Sequence, residues 1–382
     1  MPGGPAAIMG GMSEVREDAG VSTLELFFDL VFVFTITQLT ALLLSDLSWH
    51  GLLGTVLVLV LVWWMYSGYA WLTNAVPPRS TPRRLLLLAG MAAFLVLSLA
   101  IPGAFGDSAL AFALAYLAVV LVHLAMFTRA RTRAEVLAIL RIGGFNLAAA
   151  AALVAGGVVG GNGEYALWAA ACVVAWAAPY INGLGGFAVR GGHFVERHGL
   201  VVIIALGESV VAVGIGAAGL PVDANLVTVA VLGLLLAAGL WWVYFGGADD
   251  ERAEHALTAA PEPRRAVLAV TAWGYAHLPI LLGVVTLAVG VKKTIGHPGE
   301  HATAAQALAL AGGVALYLAG DAAFRWLLRI GTPAWRAAAA ALALASYPLG
   351  TGWSAGAQLA ALVLLLAVLL AAEQLREPTP VT

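Results

Sequence analysis

Residues 24–45 read LELFFDLVFVFTITQLTALLLS. The run holds no glycine, proline or basic residue, and its two acids, Glu25 and Asp29, fall among its first six positions. A helix that crosses a bilayer needs about 20 mostly apolar residues, and this stretch supplies them. The rest of the chain repeats the pattern. Of 382 residues, 62% are hydrophobic and 10% are charged, where a soluble domain carries roughly 25% charged residues. So few charges cannot coat a soluble surface of this size. A soluble enzyme and a disordered chain are excluded, and a net charge of −2 leaves no basic footprint for nucleic acid. The expected fold is an all-α polytopic membrane protein whose first partner is the lipid bilayer.

Twelve candidate spans follow: 24–45, 50–74, 84–101, 108–128, 136–159, 164–183, 199–218, 224–246, 265–290, 302–324, 334–349 and 354–372. The segment 334–349 is the weakest, being short and ending at Tyr347-Pro348, and without it the count falls to eleven or ten. Charge placement tests the count independently. With a cytoplasmic N-terminus and twelve spans, only Lys292 and Lys293 among the nineteen basic residues fall in outside loops. Cytoplasmic loops are enriched in Lys and Arg in this way, so both termini are expected inside, in a bacterial inner (plasma) membrane. The single cysteine, Cys172, rules out an internal disulfide and suggests no cysteine-based metal site. Residues 1–20 lack a basic segment followed directly by a short apolar core and read as a cytoplasmic disordered N-terminus, not a cleaved signal. Residues 373–382 read as a polar cytoplasmic tail.

The two halves echo each other. Thr37-Gln38 in the first span corresponds to Glu208-Ser209 in the seventh. Trp63-Trp64-Met65-Tyr66 corresponds to Trp241-Trp242-Val243-Tyr244, and Arg83-Arg84 to Arg264-Arg265. The order is kept, which fits a parallel six-plus-six repeat, with repeats at 21–183 and 184–372.

The block Ser22-Thr23-Leu24-Glu25-Leu26-Phe27-Phe28-Asp29-Leu30-Val31-Phe32-Val33 resembles the opening signature of the bacterial low temperature requirement protein A (LtrA) family. So do Glu196-Arg197-His198-Gly199 and Ala205-Leu206-Gly207-Glu208-Ser209. The resemblance implies a multi-pass fold and draws attention to these residues. It implies no reaction.

Charged groups at mid-bilayer cost about 2.5–3.5 kcal/mol on insertion scales, so each needs a partner, a proton or water. Glu25 and Asp29 are one turn apart on one face. Two carboxylates so placed repel unless a cation or proton sits between them, and Arg197 is a candidate partner. Acids at a helix start also suit its dipole. Glu208, about 14 Å into its span and near the midplane, is the foremost binding and proton-carrying candidate, although a hydrogen-bonded packing role would also account for it. Ser209 lies beside it, and Gly207, Gly214 and Gly216 would allow close approach of a neighbouring helix. Glu196 and His198 sit at the mouth of that span, read as an interfacial cluster. His277 precedes Pro279, which removes one amide donor and crowds the carbonyl of Tyr275. Broken helices at this depth commonly line binding sites. Tyr66 and Tyr244 add hydroxyls near the Trp pairs. Asp321 and Arg325, one turn apart, suggest an internal salt bridge. No HExxH-type metal pattern and no GxxxxGK[ST] motif is present, so no metal or other cofactor is expected.

The best-supported function is secondary transport of a small solute, with proton coupling through Glu208 as one form of it. The alternatives are an intramembrane enzyme acting on a lipid or lipid-linked substrate, with Glu196, His198 and Glu208 as acid/base groups, and a channel or non-catalytic membrane partner. Neither substrate nor oligomeric state is legible.

Overall fold

The computed structural model describes residues 20–127, 133–183 and 189–375. The N-terminal segment before Gly20, the tail from Arg376, and Arg129 and Arg131 of the third basic loop lie outside the described residues. The described residues form helices joined by loops and turns, with no strand among them. The first six spans are α1 (Thr23–Ser45), α2 (Trp49–Ala75), α3 (Thr81–Ala100), α4 (Ala109–Phe127), α5 (Arg133–Val159) and α6 (Gly161–Asn182). The next are α7 (Gly191–Gly216) and α8 (Ala224–Phe245), followed by the short polar helix α9 (Asp249–Ala259). The ninth span combines α10 (Glu262–Leu268), a π-helical segment (Ala269–Tyr275) and α11 (His277–Thr294). The chain closes with α12 (Ala304–Leu328), α13 (Pro333–Ala345), α14 (Tyr347–Gly352) and α15 (Ala355–Gln374).

Local sequence explains the starts. Ser22 caps α1 and Glu25 reaches back to it, a reciprocal capping box. Ser48, Asp223, Thr303 and Ser354 cap α2, α8, α12 and α15 with their side chains.

Eleven helical segments are long and apolar enough to cross a membrane. The broken pair α13–α14 makes a twelfth passage. At its start, Arg336 meets Asp321 near the end of α12 and Glu373 near the end of α15. At its finish, the Gly350 carbonyl accepts from the Ala302 amide just before α12, at 2.9 Å. The pair therefore runs from one end of α12 to the other. The break at Ser346 precedes Pro348, which cannot donate to the turn before it. This is the segment that looked weakest in sequence: it is bent, not missing. Glu373, assigned to the tail by sequence, belongs to α15.

α1 packs on α2 and α3, and α7 on α8 and α11; α3 packs on α4, and α11 on α12. α2 also touches α6, as α8 touches α15. The closest approach is between α11 and α12. A Cβ added at Gly283 would stand 2.6 Å from the Tyr317 nitrogen, and one at Gly313 2.6 Å from the Leu287 nitrogen. Only glycine lets these backbones meet. The glycines singled out on α7 play no such part at two of three positions: Gly207 and Gly214 face open space, while Gly216 lies against Ile295 and the Lys292 carbonyl.

The expected Asp321–Arg325 pair is part of a larger network. Arg325 is 3.7 Å from Asp321 but engages Asp249 of α9 closely, while Arg336 engages Asp321 closely and Glu373 at 3.1 Å. Three acids and two arginines thus tie α9, α12, α13 and α15 together. Each arginine reaches more than one carboxylate, as its planar fork allows.

Candidate functional site

α7 begins at Gly191, earlier than its apolar run suggests, because Gly191–His198 is carried by tertiary contacts. Glu196, Arg197 and His198 therefore lie within the helix and not at its mouth. Glu196 is exposed and accepts from the Val21 amide at 3.1 Å. Arg197 and His198 are completely buried.

Arg197 points at α1. It donates to Glu25 Oε1 at 2.9 Å, to Asp29 Oδ1 at 3.1 Å and to Thr73 Oγ1 of α2 at 2.8 Å. Its guanidinium lies 5.6 Å from the Phe28 ring centroid and 5.7 Å from that of Tyr66, close enough for cation–π attraction. Tyr66 donates to Asp29 Oδ1 at 2.7 Å. Glu25 also takes Ser22 Oγ at 2.7 Å and has His193 Nε2 at 3.1 Å, which Asn74 supports through Nδ1 at 3.3 Å. With both carboxylates ionised, Glu25, Asp29 and Arg197 together carry one net negative charge. Asp29 Oδ2 makes no hydrogen bond among the described residues. His193 escaped the sequence reading, although His193 and Arg197 share a helix face at i, i+4.

The next layer inward is aromatic. Trp63 stacks on Tyr66, centroids 5.3 Å apart, and on His277 at 6.3 Å; it meets His198 edge-on at 5.8 Å. His198 Nδ1 is 2.8 Å from the Phe194 carbonyl. His277 Nδ1 is 2.9 Å from the Ala272 carbonyl and its Nε2 is 2.8 Å from Tyr244 Oη. This fixes the tautomer by inference: Nδ1 donates and Nε2 accepts the tyrosine proton. The span is irregular just before His277, over the π-helical stretch that ends at Tyr275. The Ala276 amide bonds Thr271, five residues back, within the π-helical segment. Such segments concentrate at functional sites. Within this irregular stretch the Trp63 indole donates to the Gly274 carbonyl at 2.7 Å.

Glu208 is separate. It is 2% exposed, and Thr37 of α1 donates to its Oε2 at 2.5 Å. Counted along α7 it lies about 25 Å from the helix start and about 12 Å from its end. Ser209, adjacent and buried, makes no hydrogen bond among the described residues. Between this layer and Asp29, the facing helices carry Phe32, Ile36, Val201, Val202 and Ala205, all buried.

The sequence candidates thus do not converge on one cavity. They form a ladder along α1 and α7. Glu25, Asp29 and Tyr66 meet at one end, with Glu196 at its rim; His198, His277 and Tyr244 follow. Glu208 comes about 12 Å beyond Asp29 as counted along α1 to Thr37. The paired tryptophans also diverge: Trp63 is buried, whereas Trp241 and Trp242 are 41% and 48% exposed and face outward. Among the described residues, no three His, Cys, Asp or Glu side chains gather as a metal site.

Beside the ladder lies a mostly apolar cavity lined by Trp63, Trp64, Trp71, His123, Asn146 and Trp176, among others. Trp64 donates to Asn146 Oδ1 at 2.8 Å. One wall is the π-helical segment at Gly274 and Tyr275, so Trp63 and that segment separate the cavity from His277.

The profile of the bacterial low temperature requirement A protein (LtrA) matches residues 20–372. The chain belongs to the LtrA family. The match takes in every residue of the ladder. This LtrA-family chain is also 32% identical over 325 residues to an uncharacterised protein of Rhizobium meliloti (strain 1021), covering 80% of this chain and 76% of that one. No solved structure matches it.

Proposed function

We propose that this LtrA-family protein is a secondary, proton-coupled transporter of a small solute in the bacterial plasma membrane, with both termini cytoplasmic. One observation carries the reading: two buried ionisable layers, Glu25–Asp29–Arg197 and Glu208–Thr37, lie on the same pair of helices with an apolar interval between them. Burying acids in a membrane protein is costly, and here they lie at two depths on one pair of helices. Separation by an apolar interval suits a carrier in which protons reach one layer from each side in turn.

The repeat supports the same reading. α1 and α7 run side by side in the same direction, and the pairings of α1 with α2 and α3 recur as α7 with α8 and α11. A parallel six-plus-six repeat has this pattern. The solute site proposed is the Trp-lined cavity. It abuts the ladder through Trp63, so a solute there would bear on His277 and His198. Glu25, Asp29, Glu208 and His277 are the residues assigned to proton coupling, with Glu196, His198, Ser209, Tyr66 and Tyr244 in support.

The test is gradient-driven uptake. Proteoliposomes holding the purified protein are exposed to a panel of radiolabelled small solutes with an imposed pH gradient. Accumulation of at least one solute, abolished by a protonophore, is the expected result. Passive equilibration unaffected by the gradient would instead fit a channel.

A further inference from the structure

α12 ends in an unusual way. Its last amide bonds close on the Arg325 carbonyl, with the Ile330 nitrogen at 3.0 Å. The residue that turns the chain is Arg329, at φ 59 and ψ 40. That left-handed position is one glycine fills without strain, and among the described residues Arg329 is the only non-glycine with positive φ. Two residues on, Gly331 also has φ 59, and a Cβ there would stand 2.4 Å from Arg325 Nη1. The turn is therefore shaped so that the Arg325 guanidinium can lie against bare backbone.

The result is a pocket lined by Arg264, Arg325, Trp326, Leu327, Arg329, Gly331 and Pro333. Three arginines and no acidic residue line it. Arg325 is engaged from behind by Asp249. Arg264 and Arg329 are exposed and make no ion pair among the described residues. Trp326 is 69% exposed at the same level, where a tryptophan suits the boundary between lipid chains and headgroups. Guanidinium forks match the oxygens of a phosphate, often two at a time.

We propose that this pocket, at the end of α12 between α10 and α13, binds a phosphate group, that of an anionic lipid headgroup or of a soluble phosphate. Basic pockets between spanning helices are suited to such headgroups. The site is remote from the ladder and does not depend on the transport reading.

Native mass spectrometry of the full-length, delipidated protein in detergent tests it. The probes are phosphatidylglycerol, phosphatidylcholine and inorganic phosphate, applied to wild type and to the double variant Arg264→Gln/Arg329→Gly. Glycine at 329 relieves the left-handed strain, so the variant is expected to fold. Wild type should bind phosphatidylglycerol or phosphate more tightly than phosphatidylcholine. The double variant should lose at least about tenfold, the loss expected of one charge-assisted hydrogen bond. Preference for phosphatidylglycerol identifies a lipid headgroup as the source; equal binding of inorganic phosphate identifies a soluble one. Equal affinity for phosphatidylcholine, or unchanged binding by the double variant, overturns the proposal.

Discussion

Thr37 and Glu208 stand 171 positions apart and meet at 2.5 Å across the α1–α7 interface. Arg197 reaches Glu25 across a separation of 172 and Asp29 across 168. Nearly constant separation means that α1 and α7 lie parallel and in register. Antiparallel helices would give separations that change steeply along the pair. The same two residues were matched by sequence as counterparts in the two halves, so counterparts face each other here.

The Thr37 hydroxyl should matter to stability as well as to function. Thr37→Val leaves a buried carboxyl oxygen without its donor and should cost about 1–3 kcal/mol. Thr37→Ser keeps the hydroxyl and should cost much less. Denaturant unfolding in detergent compares them, and equal stability of the two variants would remove the hydrogen bond from the account.

Arg197 compensates two buried acids. Arg197→Met should destabilise by about 3–5 kcal/mol, the range for breaking a buried pair. Adding Glu25→Gln and Asp29→Asn should recover most of that loss, since the stranded charges are gone. Failure of the triple variant to recover would mean that Arg197 acts through packing.

Trp63→Phe removes the donor to the Gly274 carbonyl and should cost about 1–3 kcal/mol. Denaturant unfolding in detergent measures the loss, and stability equal to wild type would remove this hydrogen bond from the account.

Close approach of α11 and α12 makes Gly283 and Gly313 intolerant. Gly283→Ala drives a methyl into the Tyr317 nitrogen and the Gly313 carbonyl, at 2.6 and 2.7 Å, and backbone cannot yield as a side chain can. It should destabilise by about 1–3 kcal/mol, as overpacking does. Gly207→Ala meets nothing within 4 Å and should be neutral or mildly stabilising. Thermal unfolding of the two variants separates these outcomes.

Sequence made the spans legible because apolar length and arginine placement are both local signals. It placed Glu25 and Asp29 on one face for the same reason, and offered Arg197 only as a candidate partner. What it could not supply was register between distant helices. Thr37 was visible as a repeat landmark, yet nothing in the chain says that it touches Glu208. The start of α7 was misjudged because Gly191–His198 is polar and its helicity rests on burial against α1 and α2. The glycine contacts were misassigned to α7 since a glycine's neighbours depend on which helix lies opposite. His193 was passed over, as a lone histidine carries no pattern until Glu25 is placed beside it.

The most direct test of the central claim uses the solute found by gradient-driven uptake, with wild type and Glu208→Gln compared in proteoliposomes loaded with a pH-sensitive dye. The account predicts that wild type moves protons when solute is added, and that Glu208→Gln still exchanges labelled for unlabelled solute but moves no protons. Proton movement by Glu208→Gln equal to that of wild type would contradict it.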